Sequence, residues 1–457
     1  MNIIEVQLPG GEPVVVEWNP KYPLTAKWDR RLREAAGKDE AAVAFTWDDA
    51  FLRRTRGLRL DPFRLAWPRP HPLLLAQVDC RGRCAIAKSV LQGLHQEGRI
   101  ASATDTAGAL RILADRMPDR IRQVPEILRL TWAEGSPAYR RTGAAPTPSR
   151  TATRISVVIN YRDRPDLMQE CIRGLMRQAL RSELEVLLID NQSTAESVAA
   201  VRAACKSLKG RASVRHFTYA EPFNKSAQDN LGAREASGEV IVFLNNDAEM
   251  LDVGCLQTIS DWALEPDALA AGPRVLGDGD RLVSNGVFIR RAVGGATPLI
   301  RENEAKPLQE TIRLSAGVSF CCAAVAKATF ERIGPFDEQV FKSQYNDADF
   351  WLRGLRLGFS NIYVGSVSCR HEPGQSEART KEKTAALLVR FCERHVDLAD
   401  YADIDLDVVK LKAIPEFAER GPRWLMQGAR LWRKGRARLV DARRLGVSLV
   451  RGVAPST

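Results

Sequence analysis

The stretch Val240–Met250, VIVFLNNDAEM, decides the fold, because five apolar residues, Val240 to Leu244, stop abruptly on Asn245-Asn246-Asp247. A run so short and so apolar, bounded by polar groups, predicts a strand buried on both faces of a parallel sheet, with the three polar residues at its carboxyl end. That edge is where open α/β sheets bind ligands. Asn245 and Asp247 stand two positions apart, so they fall on one side of an extended chain and offer oxygen to a hard divalent cation. An ordinary Asn/Asp turn after a strand has the same appearance.

Working outward, Ile155 to Ile159 (ISVVI) is a second apolar run, followed by Asn160-Tyr161-Arg162-Asp163. Leu167, Cys171, Ile172, Leu175, Met176 and Ala179 then recur at helical spacing, which predicts a helix from about Asp166 to Leu180 with one buried face. A third run, Leu184 to Ile189, ends on Asp190-Asn191-Gln192-Ser193, and a second helix carries Val198, Val201 and Cys205. Strand, helix, strand, helix predicts a parallel sheet with right-handed crossovers.

These segments, together with Asn224 to Asp247, Gly334-Pro335-Phe336-Asp337 and Asn346-Asp347-Ala348-Asp349-Phe350, resemble glycosyltransferase family 2. The resemblance implies the A-type fold, a Rossmann-like and mostly parallel sheet flanked by helices, and an inverting transferase. Phe223-Asn224-Lys225-Ser226-Ala227 with Asn230-Leu231-Gly232-Ala233 is similar to the subgroup of bacterial O-antigen and rhamnan assembly. It further implies a nucleotide diphosphate donor of the UDP or dTDP type, a hexosyl group, and a saccharide or polyprenyl-linked acceptor hydroxyl.

The same resemblance assigns roles. Asp190 takes the place of an aspartate that hydrogen-bonds the base or ribose, in a donor site that also draws on Asn160, Arg162, Asp163, Asn191, Ser193, Asn224, Lys225, Asn230, Asn245 and Asn246. Asp247 matches the last carboxylate of an Asp-x-Asp motif in which Asn245 stands first, so Mg2+ or Mn2+ would lean on the donor's diphosphate oxygens. His371 follows a predicted strand, Asn361 to Cys369, at a position where the family often places a metal ligand, and the neighbouring Arg370 is a candidate for a phosphate oxygen. Asp347 matches the general base and Asp349 a second or acceptor-orienting carboxylate, and the sequence does not exclude the reverse assignment. Without the resemblance, Asn346 or Asp347 reads as the cap of a helix running to Gly358. Gly317, in Ser315 to Cys322, either lets the backbone approach a sugar or marks a bulge.

The flanks differ in composition. Residues 134–154 are rich in Pro, Ser, Thr, Ala and Gly, a linker composition that divides residues 1–133 from a catalytic unit at 155–376. The first unit lacks a Gly-rich phosphate loop, and its features resemble half of a degenerate A-type glycosyltransferase. Its Ala42 to Phe45 run ends near Asp48-Asp49, which read as structural or vestigial. Residues 377–457 read as a helical extension. From Arg420 to Arg451, ten Arg or Lys face one acid, Asp441, so this stretch supplies +9 of the net charge of +11. Interleaved Trp424, Leu431, Trp432 and Leu439 fit an amphipathic helix on an anionic membrane, or equally a helix packed on the catalytic unit with a solvated basic face.

No run approaches the roughly eighteen apolar residues of a membrane span and no leader pattern is present, so the expectation is a cytoplasmic enzyme, peripheral at the inner membrane face. The nine cysteines read as reduced core thiols. Two other classes fit parts of the sequence: an inactive glycosyltransferase-like scaffold, and a binding protein acting through its basic tail. No nucleic-acid module accompanies that tail.

Overall fold

Strand Val240–Leu244 forms over the five apolar residues, each at most 3% exposed. A computed structural model of the chain describes residues 2–9, 11–18, 28–39, 41–54, 58–63, 75, 83–132, 146–292, 295–300, 309–372, 387, 389–391, 393–395 and 404–405. Within it Val240–Leu244 pairs in parallel with Arg154–Tyr161, which pairs in parallel with Glu183–Asp190, and that strand with Ala212–Thr218. Helices Pro165–Met176, Ala195–Cys205 and Lys225–Glu235 lie between these strands in the chain. On the other side of Val240–Leu244 the ten-stranded sheet becomes mixed. Cys322–Ala326 is antiparallel to it, Ala268–Leu276 antiparallel to that strand, and Ser360–His371 returns parallel to Ala268–Leu276.

The alternation of the central strand explains why its run has no polar gaps. Val240, Val242 and Leu244 enter one core with Met168, Cys171 and Ile172 of the first crossover helix and Leu256, Ile259 and Trp262 of helix Cys255–Ala263. Ile241 and Phe243 enter the opposite core with Ala233, Phe330, Phe350 and Leu352. Burial on both faces stabilises the strand by on the order of 10 kcal/mol before chain entropy is counted. Helix Lys225–Glu235 lies close on the sheet because Gly232 has no side chain; a Cβ there would be 2.3 Å from Val158 Cγ1.

The first crossover helix ends at Met176, short of Leu180. Gln178 donates to the Gly174 and Asp252 carbonyls and accepts from the Leu256 N–H, and the Ala179 N–H bonds the Val253 carbonyl. These contacts with residues some 75 positions on draw the chain out of the helix.

Residues 2–132 build a separate six-stranded sheet. Its strand Ala44–Arg54 does not end near Asp48 and Asp49 as the sequence suggests but runs on through them, paired with Leu58–Phe63 on one side and Ile121–Trp132 on the other. Ala133, linker residues 134–145, Trp67, Gly294 and most of 377–457, including the basic stretch 420–451, lie outside the described residues. Among the described residues, no helix is long and apolar enough to cross a membrane. Seven described cysteines are buried and free.

Candidate active site

The chain leaves Val240–Leu244 through a turn closed by Ala248 N–H donating to the Asn245 carbonyl, and Asn245 N–H donates to the Cys321 carbonyl. Ala248–Met250 then pairs antiparallel with the end of Ser360–His371, placing Ala248 opposite His371. Strand pairing therefore brings together three residues separated by 126 positions, Asn245, Asp247 and His371. His371 Nε2 lies 3.2 Å from Asp247 Oδ1 and 3.3 Å from Asn245 Nδ2.

Asp247 is 3% exposed, and neither of its carboxylate oxygens has a hydrogen-bond partner. The His371 contact is thus an ion pair by distance and not an aligned hydrogen bond. A buried carboxylate in this state costs free energy that the fold does not recover locally. Burial works against the His371 imidazolium, but the Cys321 sulfur and the Asp247 carboxylate outweigh it and push its pKa up to about 10. Cys321 is itself a thiol held well above its usual range by its contact with Cys369 and by burial, so at neutral pH the lasting attraction is that of Asp247.

These features fit a divalent cation. Two carboxylate oxygens without hydrogen bonds, the ligand type that Mg2+ and Mn2+ prefer, lie beside an imidazole nitrogen that could ligate once deprotonated. No group of three or more His, Cys, Asp or Glu residues able to hold a metal occurs among the described residues, so a cation at Asp247 and His371 would need its remaining ligands from a bound molecule or water.

Beside this corner, the ends of the parallel strands carry the other polar residues. Asn160 Nδ2 donates to Asp229 Oδ1 (2.6 Å) and Lys225 Nζ to Asp229 Oδ2 (2.8 Å). Burial pushes the Asp229 carboxyl up, with Lys225 pulling against it. Asn160 Oδ1 is buried without a partner. Asp190 Oδ1 accepts from Ser193 N–H, an Asx-type turn, while Asp163 accepts from Thr194 N–H and its own N–H donates to Ser193 Oγ. Arg162 is exposed and Asn246 partly buried.

Three of the expected donor residues are spent on the scaffold. Asn191 donates to the Tyr219 and Glu221 carbonyls and accepts from Gln228. Asn224 caps helix Lys225–Glu235 by accepting from Ala227 N–H and donates to the Glu338 carbonyl. Asn230 grips Phe336, donating to its carbonyl and accepting from its N–H. Arg370 Nη1 donates to Glu249 at 3.0 Å, which anchors the guanidinium that the sequence offers to a phosphate oxygen and leaves its other N–H groups to further acceptors.

Helix Asn346–Arg356 carries the two remaining carboxylates. Its cap residue is Tyr345, with φ 61° and no side-chain cap bond, so neither Asn346 nor Asp347 caps it. Partly buried Asp347 sits in the first turn, its Oδ1 accepting from Ala348 N–H. Asp349 is fully buried and accepts from Arg353 Nε (2.9 Å), His395 Nε2 (3.0 Å) and Arg394 Nη1 (3.3 Å). Burial opposes its charge, but His395 and Arg353 prevail and hold the carboxyl below the usual range. Phe320 joins this helix to the Asn245–Asp247 corner: its ring packs on Phe243, Phe350 and Trp351, while the adjacent Cys321 carbonyl holds Asn245. Gly317 makes room for the Trp351 indole, since a Cβ would lie 2.4 Å from Trp351 Cδ2. No sequence pattern points to His395 and Arg394, whereas the i,i+4 pairs Lys225/Asp229 and Asp349/Arg353 are readable from spacing.

Known proteins share parts of this chain. It is 30% identical over 222 residues to the O-antigen biosynthesis protein RfbC of Myxococcus xanthus, a match covering 48% of this chain and 17% of that protein. The chain thus spans about a sixth of that relative's length. Among solved structures, GalNAc-T7 with UDP, GalNAc and Mn2+ aligns with a TM-score of 0.45 and 16% identity over 55% of this chain and 50% of that one. The mannosyltransferase PcManGT of Pyrobaculum calidifontis in complex with GDP-Man and Mn2+ aligns with a TM-score of 0.39 and 17% identity, over 65% and 83%. Residues 156–333, which hold the parallel strands around Val240–Leu244, the Asn245–Asp247 turn and the Gly317 segment, match the family model "Glycosyl transferase family 2", so this α/β part of the chain is a glycosyltransferase domain of that family.

Proposed function

We propose that the protein is an inverting, metal-assisted hexosyltransferase that moves a sugar from a UDP- or dTDP-linked donor to a hydroxyl of a saccharide or polyprenyl-linked saccharide in cell-surface polysaccharide assembly. The observation that carries this reading is the buried Asp247 carboxylate, unpartnered at both oxygens beside His371 at the carboxyl edge of the central strand. Asp247 and His371 would hold Mg2+ or Mn2+ together with the donor diphosphate. Such an ion, when bound, offsets the negative charge that develops on the leaving group.

The chain's own residues do the rest. Asn160 is oriented by Asp229 so that its unpaired Oδ1 is an acceptor for a donor group on the nucleotide, such as an N–H or ribose hydroxyl. Asp190 and Asp163 order the neighbouring turn, and Lys225 lies beside it through Asp229. Asp347 takes the proton of the acceptor hydroxyl as that oxygen attacks the anomeric carbon. The bond from the anomeric carbon to the phosphate oxygen breaks with its electron pair passing to the nucleoside diphosphate, and in-line attack inverts the centre. Asp349 is unsuited to the base role because its oxygens already accept from three basic side chains.

Asp347→Asn is the test. It keeps the size of the side chain, so UDP and dTDP binding should persist in calorimetry while turnover of a panel of UDP- and dTDP-hexoses falls by roughly a hundredfold or more. Retained turnover refutes the assignment.

A further inference from the structure

Two of the three residues that hold Asp349, Arg394 and His395, come from a segment that follows the 156–333 match, at 387–395. Its described residues through 394 are helical. Phe391 is fully buried, stacks on Tyr345 with ring centroids 5.1 Å apart, and meets Phe341 edge-on at 5.9 Å. His395 is 1% exposed, its ring 4.7 Å from Phe391. Arg394 bridges Asp337 and Asp349 and lies over the Phe341 ring.

The protonation pattern of His395 follows from its neighbours. Arg356 Nη2 lies 2.8 Å from His395 Nδ1, and a guanidinium only donates, so Nδ1 accepts. The proton therefore sits on Nε2 and is donated to Asp349 Oδ1 at 3.0 Å. His395 thus ties the carboxylate of the helix's first turn to Arg356 at the helix's last residue.

The tie acts at a strained helix start, where Arg353 also bonds Asp349. Helix Asn346–Arg356 begins at Tyr345, a non-glycine residue in the left-handed region, and has no side-chain cap. A strained residue of this kind persists when its surroundings over-determine it. Phe391 stacked on Tyr345, and His395 and Arg394 on Asp349, supply that constraint on both sides of Asp347.

We propose that residues 387–395 are a positioning clamp for the catalytic base, with His395 as its main positioning residue. By fixing Tyr345 and Asp349, the clamp sets where the Asp347 carboxylate meets the acceptor hydroxyl. This rests on Asp347 being the base, and the clamp acts on the acceptor half of the site, leaving the donor half at residues 160–230 untouched.

His395→Phe keeps a ring against Phe391 and loses both hydrogen bonds. His395→Gln retains an N–H for Asp349 and an oxygen for Arg356. For His395→Phe, kcat for release of UDP or dTDP from a panel of nucleotide hexoses with Mn2+ should fall about tenfold, because small misplacements of a reacting group are costly. The donor KM and the calorimetric affinity for UDP with Mn2+ should stay within about twofold, since donor binding is separate from base placement. Amide hydrogen exchange over 345–351 should accelerate, and His395→Gln should bring kcat and exchange back toward the parent. The exchange readout stands alone if no hexose in the panel is turned over.

Parent-like exchange at 345–351 in His395→Phe overturns the clamp, as does a loss of kcat matched by an equal loss of UDP affinity, the mark of a general packing defect. If His395→Phe fails to fold, Arg394→Gln is read by the same criteria. Asp347→Asn in parallel separates the two ideas: turnover retained there removes the base assignment, whereas an inactive Asp347→Asn beside a parent-like His395→Phe removes only the clamp.

Discussion

Asp247, its side chain 3% exposed, lies beside His371 with no hydrogen bond to either oxygen, whereas Asp349, fully buried, accepts from Arg353, Arg394 and His395. Both carboxylates pay to leave water, and only one recovers the cost from the fold. A saturated carboxylate belongs to the scaffold. An unsaturated one held by strand pairing is a place where local consistency is sacrificed, and such places concentrate at functional sites.

The contrast is most directly broken at Asp247. Asp247→Asn should reduce metal-dependent turnover on the order of a hundredfold to a thousandfold, the usual consequence of losing a group that stabilises transition-state charge. The metal-free protein should unfold at nearly the parent midpoint, because loss of the His371 ion pair is offset by relief of a buried carboxylate that has no hydrogen bonds. The rise in midpoint that Mn2+ with UDP gives the parent should vanish. A large loss of stability without ligand would show that Asp247 is a scaffold residue after all.

Asp349→Asn should do the opposite. It leaves Arg353 and Arg394 facing a neutral amide, and since both guanidiniums keep access to water the loss is that of charged hydrogen bonds, about 1.5–3 kcal/mol, measurable by urea unfolding. Acidification gives a gentler version of the same experiment. The folded carboxyl is held below its ordinary value of 3.8, so its contribution is fully present above that pH and is lost as pH falls through the folded value. Parent stability should decline below about pH 4, and Asp349→Asn should flatten that part of the acid limb. An identical slope in both proteins would place the acid sensitivity elsewhere.

The two carboxylates also differ in how legible they are in the sequence. Asp247 is readable because the strand before it is a continuous apolar run that ends sharply, and the two-residue period of an extended chain then puts Asn245 and Asp247 on one side. Asp349 can be seen as an acidic residue near a helix start, but its partners Arg394 and His395 lie 45 and 46 positions away and belong to no periodic pattern. The same contrast holds elsewhere. Glu183–Asp190 announces itself by six consecutive buried residues, whereas the outermost parallel strand, Ala212–Thr218, has no fully buried residue and leaves no apolar run to read. Asn191, Asn224 and Asn230 look like ligand-binding residues in sequence because amides beside a site are ambiguous. Only the carbonyls they meet, up to 114 positions away, show them to be clamps.

The smallest effects test how tightly the base helix is pressed on the site. Gly317 lies beneath Trp351, four residues after Asp347, and an added Cβ would sit 2.4 Å from the indole. The ring cannot simply swing aside, since Trp351 is 5% exposed and packs on Phe320, itself ringed by Phe243, Phe336 and Phe350. Gly317→Ala should therefore cost about 1–3 kcal/mol, the usual range for overpacking, with a smaller fall in turnover than Asp247→Asn. Gly93, in helix Lys88–Gln96 of the other sheet, has open space where a Cβ would go, with nothing within 4 Å, so Gly93→Ala should raise stability by roughly 0.5–1 kcal/mol through helix propensity. Equal responses at the two glycines would mean that the Trp351 contact does not constrain the helix that carries Asp347.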